Sequence, residues 1–333
     1  HGAALAAFLD QDTAPAAGDL VSCSRFGETL RSIADGGADE FYRGALGAQV
    51  VAASAAAGGH LTAEDFAAMA ADVRPASVHD LADVTVVVTP PPSQAAIVAQ
   101  LMAAVPAACS PHAAAYAEAT APIVDRELTN RCIAGVPGTA VSVATDGEAM
   151  AAVVHSLAGV QFGTGWVAGE TGIALGNRVG TSLTTRRDLP ATAPVPGAVL
   201  PHTLSAAMFR TSQRTTLVAT PGGDRQVQWL AQAGQRFRRG ESLDDIVCGP
   251  RWFVCPEGDR FGVPAGIGQE WFLFGEPGVE WSTEKKLAGY AVRHTHSVGG
   301  GIQAVERSAQ GWAVASDPRS GGGARAEGNS SDV

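Results

Sequence analysis

The chain has 333 residues, 46% of them hydrophobic and 17% charged, with a formal net charge of −10 at pH 7. That length and composition describe a globular chain able to bury a full core, and the absence of any basic block argues against nucleic acid as a partner. No apolar run approaches the roughly 20 residues that a spanning helix needs, so no membrane partner is expected. In chain order, helices are expected over 24–34, 39–57, 62–70 and 93–104. Gly36-Gly37 and Gly58-Gly59 act as terminators there, and Ser93, after three prolines, as an N-cap. Val84–Val88 reads as a strand. The alanine-rich stretch from Ala107 to Val136 is expected to be low in order, an exposed loop between two halves, 1–138 and 139–333. Strands dominate after Thr139. Thr215–Val218 leads into a helix over 224–238, with Val227, Leu230, Ala233 and Phe237 on one face, and a further helix is expected near 242–247. Ala191–Leu200 reads as a loop, and Ser320–Val333, all Gly, Ser and charge, as a disordered tail.

The five cysteines, Cys23, Cys109, Cys132, Cys248 and Cys255, show no zinc-ligand spacing and read as buried small side chains of a reducing compartment. His294 and His296 stand two apart on an expected strand, with no carboxylate cluster beside them. No metal or cofactor is called for.

The most informative segment is Gly138-Thr139-Ala140-Val141-Ser142-Val143, followed by Asp146-Gly147 and a return run over 149–154. Alternation on both sides of an Asp-Gly turn signal predicts a β-hairpin with Thr139 at its mouth. A hydroxyl directly after a glycine is the local arrangement required if Gly138-Thr139 is cut by Thr139 itself. The freed α-amine would then be the general base for the same hydroxyl. A threonine opening a strand is also ordinary β-propensity. Further on, Gly222 and Gly223 lie between a strand and a helix N-terminus. Their backbone N–H groups could stabilise an oxyanion, or the pair could simply be a turn needing positive φ.

Several blocks now resemble one family in the same order. These are Phe41-Tyr42-Arg43-Gly44, Gly58-Gly59-His60-Leu61-Thr62, Pro90-Pro91-Pro92-Ser93 and Phe162-Gly163-Thr164-Gly165. Asn177-Arg178, Pro201-His202-Thr203-Leu204, Pro221-Gly222-Gly223-Asp224, Pro250-Arg251-Trp252 and Ser316-Asp317-Pro318-Arg319 follow. From Leu20 to about Gly323 the chain resembles the γ-glutamyltranspeptidases, autocleaving N-terminal-nucleophile hydrolases. It looks most like a divergent branch with members in bacterial natural-product pathways.

The resemblance implies an α+β fold, a four-layer αββα sandwich incomplete at its N-terminus, because the chain begins in mid-pattern with His1-Gly2. It implies cleavage between Gly138 and Thr139, continued association of the two pieces, Thr139 as nucleophile and Gly222 and Gly223 as oxyanion donors. His155, Asn177, Arg178, His202, Thr203 and Asp224 would line the pocket for a small molecule carrying an acyl or γ-glutamyl group. Departures are also visible. Ala140-Val141 follows the threonine without the family's histidine, Leu204 stands at a serine place, and Gly180-Thr181 replaces an acidic pair. Three readings stay open: an amidohydrolase or acyltransferase, a biosynthetic homologue cleaving a C–C bond beside a carbonyl, and an inactive binding protein. A bacterial cytoplasmic location is favoured by the composition, or a periplasmic or secreted one if a leader has been removed.

Overall fold

The computed structural model describes residues 15–131, 138–158, 162–179, 197, 199–256, 270–281, 283–296 and 299–326. Two compact units emerge, one from residues 1–74 with 161–177, the other from 75–160 with 178–333. Each draws on both sides of Thr139.

The first unit holds α1 (Ser24–Tyr42), α2 (Ala45–Ala56) and α3 (Ala63–Ala67). Gly37 was expected to end a helix. Instead it kinks α1 at φ 69°, and the chain resumes the helix beyond it. Thr62 and Asp65 close a reciprocal capping box on α3. Phe41, Tyr42 and Phe66 pack ring to ring, and Gly47 lets α2 approach Phe66 closely. The glycine-rich stretch joins this unit through the Thr29 hydroxyl, which donates to the Thr171 carbonyl at 2.8 Å.

The second unit is built on a six-stranded antiparallel sheet, ordered β1-β2-β5-β6-β11-β12. Its strands are β1 (Ser77–Asp80), β2 (Thr85–Val88), β5 (Ala206–Arg210), β6 (Thr215–Ala219), β11 (Gln303–Ser308) and β12 (Gly311–Ser316). Helices α4 (Ala96–Ala103) and α6 (Gln226–Arg238) cover one face, burying Ala207, Phe209, Val218 and Ala304 in the main core. The hairpin of β3 (Thr139–Thr145) and β4 (Met150–Ser156) lies against β6 and β11. Both edges of those strands are already paired, so the hairpin covers a face, and Leu217 and Val305 are buried there.

A second sheet runs β7-β8-β10-β9, from β7 (Trp252–Pro256), β8 (Trp271–Gly275), β9 (Lys286–Leu287) and β10 (Tyr290–His294), with β8 and β10 parallel. Helices α5 (Ala114–Arg131) and α7 (Leu243–Cys248) complete the unit.

Helix α5 corrects the expectation of a low-order stretch. Tyr116, Ala117, Thr120, Ala121 and Val124 are buried at helical spacing. Alanine gives too weak a stripe to be read from sequence, and Pro122, which argues against a helix interior, is accommodated within it. Helix α6 begins at Gln226 after a 3₁₀ turn over Gly223–Arg225, and its residues from Gln226 to Phe237 are all buried. The single apolar face expected is thus only part of its contact. The Gln228 and Gln232 amides pair with the backbone of Val254 and Trp252 at 2.8–3.2 Å, closing the edge of β7 as a neighbouring strand would. Among the described cysteines Cys255 is buried, but Cys248 is exposed and Cys23 and Cys109 are intermediate, so burial does not account for them as a group. No described helix is long and apolar enough to cross a membrane. The 191–196 part of the expected loop, Cys132 and the end of the tail from 327 lie outside the described residues.

Candidate active site

Thr139 is the first residue of β3 and pairs with Ser156, the last residue of β4. The intervening turn is Asp146–Ala149, where the Asp146 carboxylate accepts from the N–H groups of Glu148 and Ala149 at 2.9 and 2.8 Å. This is longer than the two-residue turn expected, because the aspartate closes the loop with its own side chain. Exposure alternates strictly along both strands. Thr139 therefore shares the half-buried face with Val141, Val143 and Ser156. Gly138, at φ 125°, has a backbone that L side chains rarely adopt. Its carbonyl oxygen accepts a 2.8 Å hydrogen bond from the Ser156 hydroxyl. Ser156 was not singled out from the sequence. Its spacing opposite Thr139 in the hairpin register was the available signal. His155 pairs with Ala140 and stands on the exposed face, opposite to Thr139.

At the C-terminal end of β6 the chain turns through Thr220-Pro221-Gly222-Gly223. Gly222 has φ 138° and Gly223 φ 61°. Among the described residues neither glycine N–H donates a hydrogen bond. A Cβ at Gly222 would stand 2.3 Å from Cζ3 of Trp229, and one at Gly300 would stand 2.4 Å from the same atom. The Arg251 guanidinium lies 5.3 Å from the Trp229 ring and pairs with Asp317 at 2.5 Å, both side chains being fully buried. Arg319 joins Asp317 at 3.1 Å and Glu276 at 3.0 Å. Thus two late sequence blocks form a buried ion network beneath the Gly222 turn.

Two further segments are stitched to this turn and to the helix it opens. Gln94, after the three prolines, donates from its side chain to the Gly223 carbonyl at 3.4 Å and from its backbone to the His202 carbonyl at 3.3 Å. Ser93 donates to the Leu204 carbonyl at 2.7 Å, and the Ser205 N–H donates to the Gln226 side chain at 2.9 Å. His202, Thr203, Gly223 and Asp224 are therefore brought into one neighbourhood. Thr203 and Asp224 are buried. Burial, and secondarily the charge of Arg178, keeps His202 below the usual histidine range. Burial also lowers the pKa of Arg178. Asn177 belongs to the other compact unit. Gly180 and Thr181 lie outside the described residues.

Among the described residues no group of three or more His, Cys, Asp or Glu side chains is arranged to hold a metal ion. The hairpin mouth offers a hydroxyl next to a held carbonyl, and the turn after β6 offers two glycine N–H groups that donate to no group among the described residues.

The model of the γ-glutamyltranspeptidase family matches residues 3–121 and 131–327. The chain belongs to this family. A segment of 95 residues, 28% of the chain, is 34% identical to a glutathione hydrolase proenzyme of Arthroderma benhamiae and covers 16% of it. The fold is similar to a cephalosporin acylase from Bacillus halodurans, with a TM-score of 0.76 at 22% identity, covering 98% of this chain and 66% of that one. It is also similar to LmbA2991HD, with a TM-score of 0.67 at 19% identity over 95% of this chain and 70% of that one. The ordered blocks of the sequence and the α+β character of the fold agree with this membership. The chain spans just under two thirds of the acylase.

Proposed function

We propose that the chain carries the nucleophile of an autocleaving amidohydrolase or acyltransferase on a four-layer αββα sandwich. The observation that carries this reading is the Ser156 hydroxyl on the carbonyl of Gly138, the group that Thr139 would attack. Attack of the Thr139 hydroxyl on that carbonyl moves the acyl chain from nitrogen to oxygen. Water then hydrolyses the ester, leaving a Gly138 carboxylate and a free Thr139 amine. In the mature protein the amine takes the hydroxyl proton as the oxygen attacks the substrate amide. The Gly222 and Gly223 N–H groups hold the oxyanion, and collapse expels the leaving amine with that proton. Water, or a second amine, then releases the acyl group from Thr139.

His202, Thr203, Arg178 and Asp224 line the acyl pocket in this reading, and His155, on the exposed hairpin face, is left out of it. A small acyl compound less polar than a γ-glutamyl group fits a site with Leu204 at a serine place, and the fold-level likeness to a cephalosporin acylase supports the same class. The test is intact mass and N-terminal sequencing of the purified chain, followed by turnover of a panel of N-acyl 4-nitroanilides. Cleavage that exposes Thr-Ala-Val-Ser, with turnover of at least one acyl anilide, supports the reading. An uncut chain without turnover refutes it.

A further inference from the structure

We propose that Thr220 is a positioning residue that aims the Gly222 N–H, an inference resting on the reading of Gly222 and Gly223 as oxyanion donors. In a planar trans peptide the N–H points opposite to the carbonyl of the same plane, so whatever fixes the carbonyl fixes the donor. Three successive carbonyls in this turn are each held. The Thr220 hydroxyl donates to the Pro221 carbonyl at 3.0 Å, in the plane that carries the Gly222 N–H. The Arg225 N–H donates to the Gly222 carbonyl at 3.1 Å, in the plane that carries the Gly223 N–H. The Gly223 carbonyl is taken by the Gln226 N–H and by the Gln94 side chain.

Two of these three locks belong to the helical turn that opens α6. The first does not: it depends on one side chain. Thr220 is fully buried, and it directly follows β6, so the sheet fixes its backbone. Its hydroxyl reaches the carbonyl of the next residue, a contact made by no main-chain pattern. Gly222 itself, at φ 138°, has no side chain to restrain its flanking peptide planes. Without the hydroxyl the Pro221–Gly222 plane loses the only hydrogen bond seen on its carbonyl among the described residues, and its N–H is free to swing. Thr220 touches no reacting atom. It acts through Gly222.

The autocleavage carbonyl is held separately, by Ser156, so the two steps separate in experiment. Four proteins are compared: wild type, Thr220→Val, Thr220→Ser and Gly223→Ala. Each is assayed for the extent of Gly138-Thr139 cleavage, melting temperature, and kcat and KM on the fastest of the N-acyl 4-nitroanilides. The expected result is that Thr220→Val cleaves fully yet loses about 10-fold or more in kcat, less than the ~10²–10³ for deleting an oxyanion donor, with KM within about two-fold. Thr220→Ser, which keeps the hydroxyl, recovers most of kcat even if its melting temperature falls. A Thr220→Val protein with wild-type kcat, while Gly223→Ala is impaired, overturns the positioning role and leaves the oxyanion reading standing. Unimpaired kcat in Gly223→Ala overturns the oxyanion reading and this proposal with it, as does a cleaved wild type that turns over no anilide.

Discussion

The hydroxyl of Ser156 and the carbonyl of Gly138 are joined by a 2.8 Å hydrogen bond across the mouth of the β3–β4 hairpin. A hydroxyl donating to that oxygen polarises the carbonyl and opposes its charge as a tetrahedral intermediate forms.

Cleavage is therefore expected to yield pieces of roughly 14 and 20 kDa, at about 0.1 kDa per residue, the larger beginning at Thr139. Thr139→Ala should stay uncut. Ser156→Ala should cleave on the order of 10²–10³ times more slowly, from loss of one donor to the oxyanion. A time course of intact mass measures both. Equal rates in Ser156→Ala and wild type would show that the bond is only structural.

The two turn glycines should behave differently. An alanine at Gly222 meets the Trp229 ring at 2.3 Å, so it should cost about 1–3 kcal/mol of stability through overpacking. Gly223→Ala, at φ 61°, should be milder in stability yet lose on the order of 10²–10³ in kcat. Denaturant melts set beside kcat per folded molecule separate the two effects.

Acid should weaken the second unit through His112. Burial, and then the charge of the Arg236 guanidinium that its ring contacts, holds its pKa down to about 4 from 6.5. The folded ring stays neutral while the unfolded one takes up a proton. This contribution is therefore intact above pH 6.5 and declines between pH 6.5 and about 4. Its size is on the order of 1–3 kcal/mol, after allowing for the part of the ring that meets water. His112→Asn should flatten the fall of melting temperature between pH 7 and pH 4.5. Parallel profiles would assign the acid sensitivity elsewhere.

The glutamine pairing on β7 should be worth measuring as stability alone. Gln232→Leu leaves the Trp252 N–H and C=O without their 3.2 and 2.8 Å partners. A loss of about 1–3 kcal/mol is expected, with cleavage at Thr139 unaffected. A neutral change in chemical denaturation would mean that other groups take over those contacts.

Specificity should depart from γ-glutamyl transfer. Leu204 brings an apolar side chain to a serine place, and its carbonyl is already taken by Ser93. A carboxylate left without donors in a dry site costs at least a few kcal/mol, a factor of about 10² or more in kcat/KM. Glutathione and γ-glutamyl anilides should turn over poorly beside a less polar acyl anilide. A kcat/KM of about 10⁴ M⁻¹s⁻¹ or more on the γ-glutamyl compound would reverse that ranking.

By itself the sequence determined what depends on neighbours along the chain. Alternation around Asp146-Gly147 set the hairpin and put Thr139 at its mouth. The Thr62 capping box set one helix start, and the glycine pair required a turn between β6 and α6. The order of the short blocks was enough to point to the family. Tertiary structure decided what depends on residues far apart in the chain. Gly222 and Gly300 meet at one tryptophan, Gln94 reaches Gly223, and Arg251 finds Asp317, each across a separation that no periodicity encodes. Gln228 and Gln232 lie off the apolar face expected for α6, and because an amide costs free energy to bury alone, only the unpaired strand edge beside them makes their burial favourable. Helix α5 escaped notice for a related reason. Its alanines carry little apolar signal along the chain, and their helical stripe becomes evident only when a packed core lies against it.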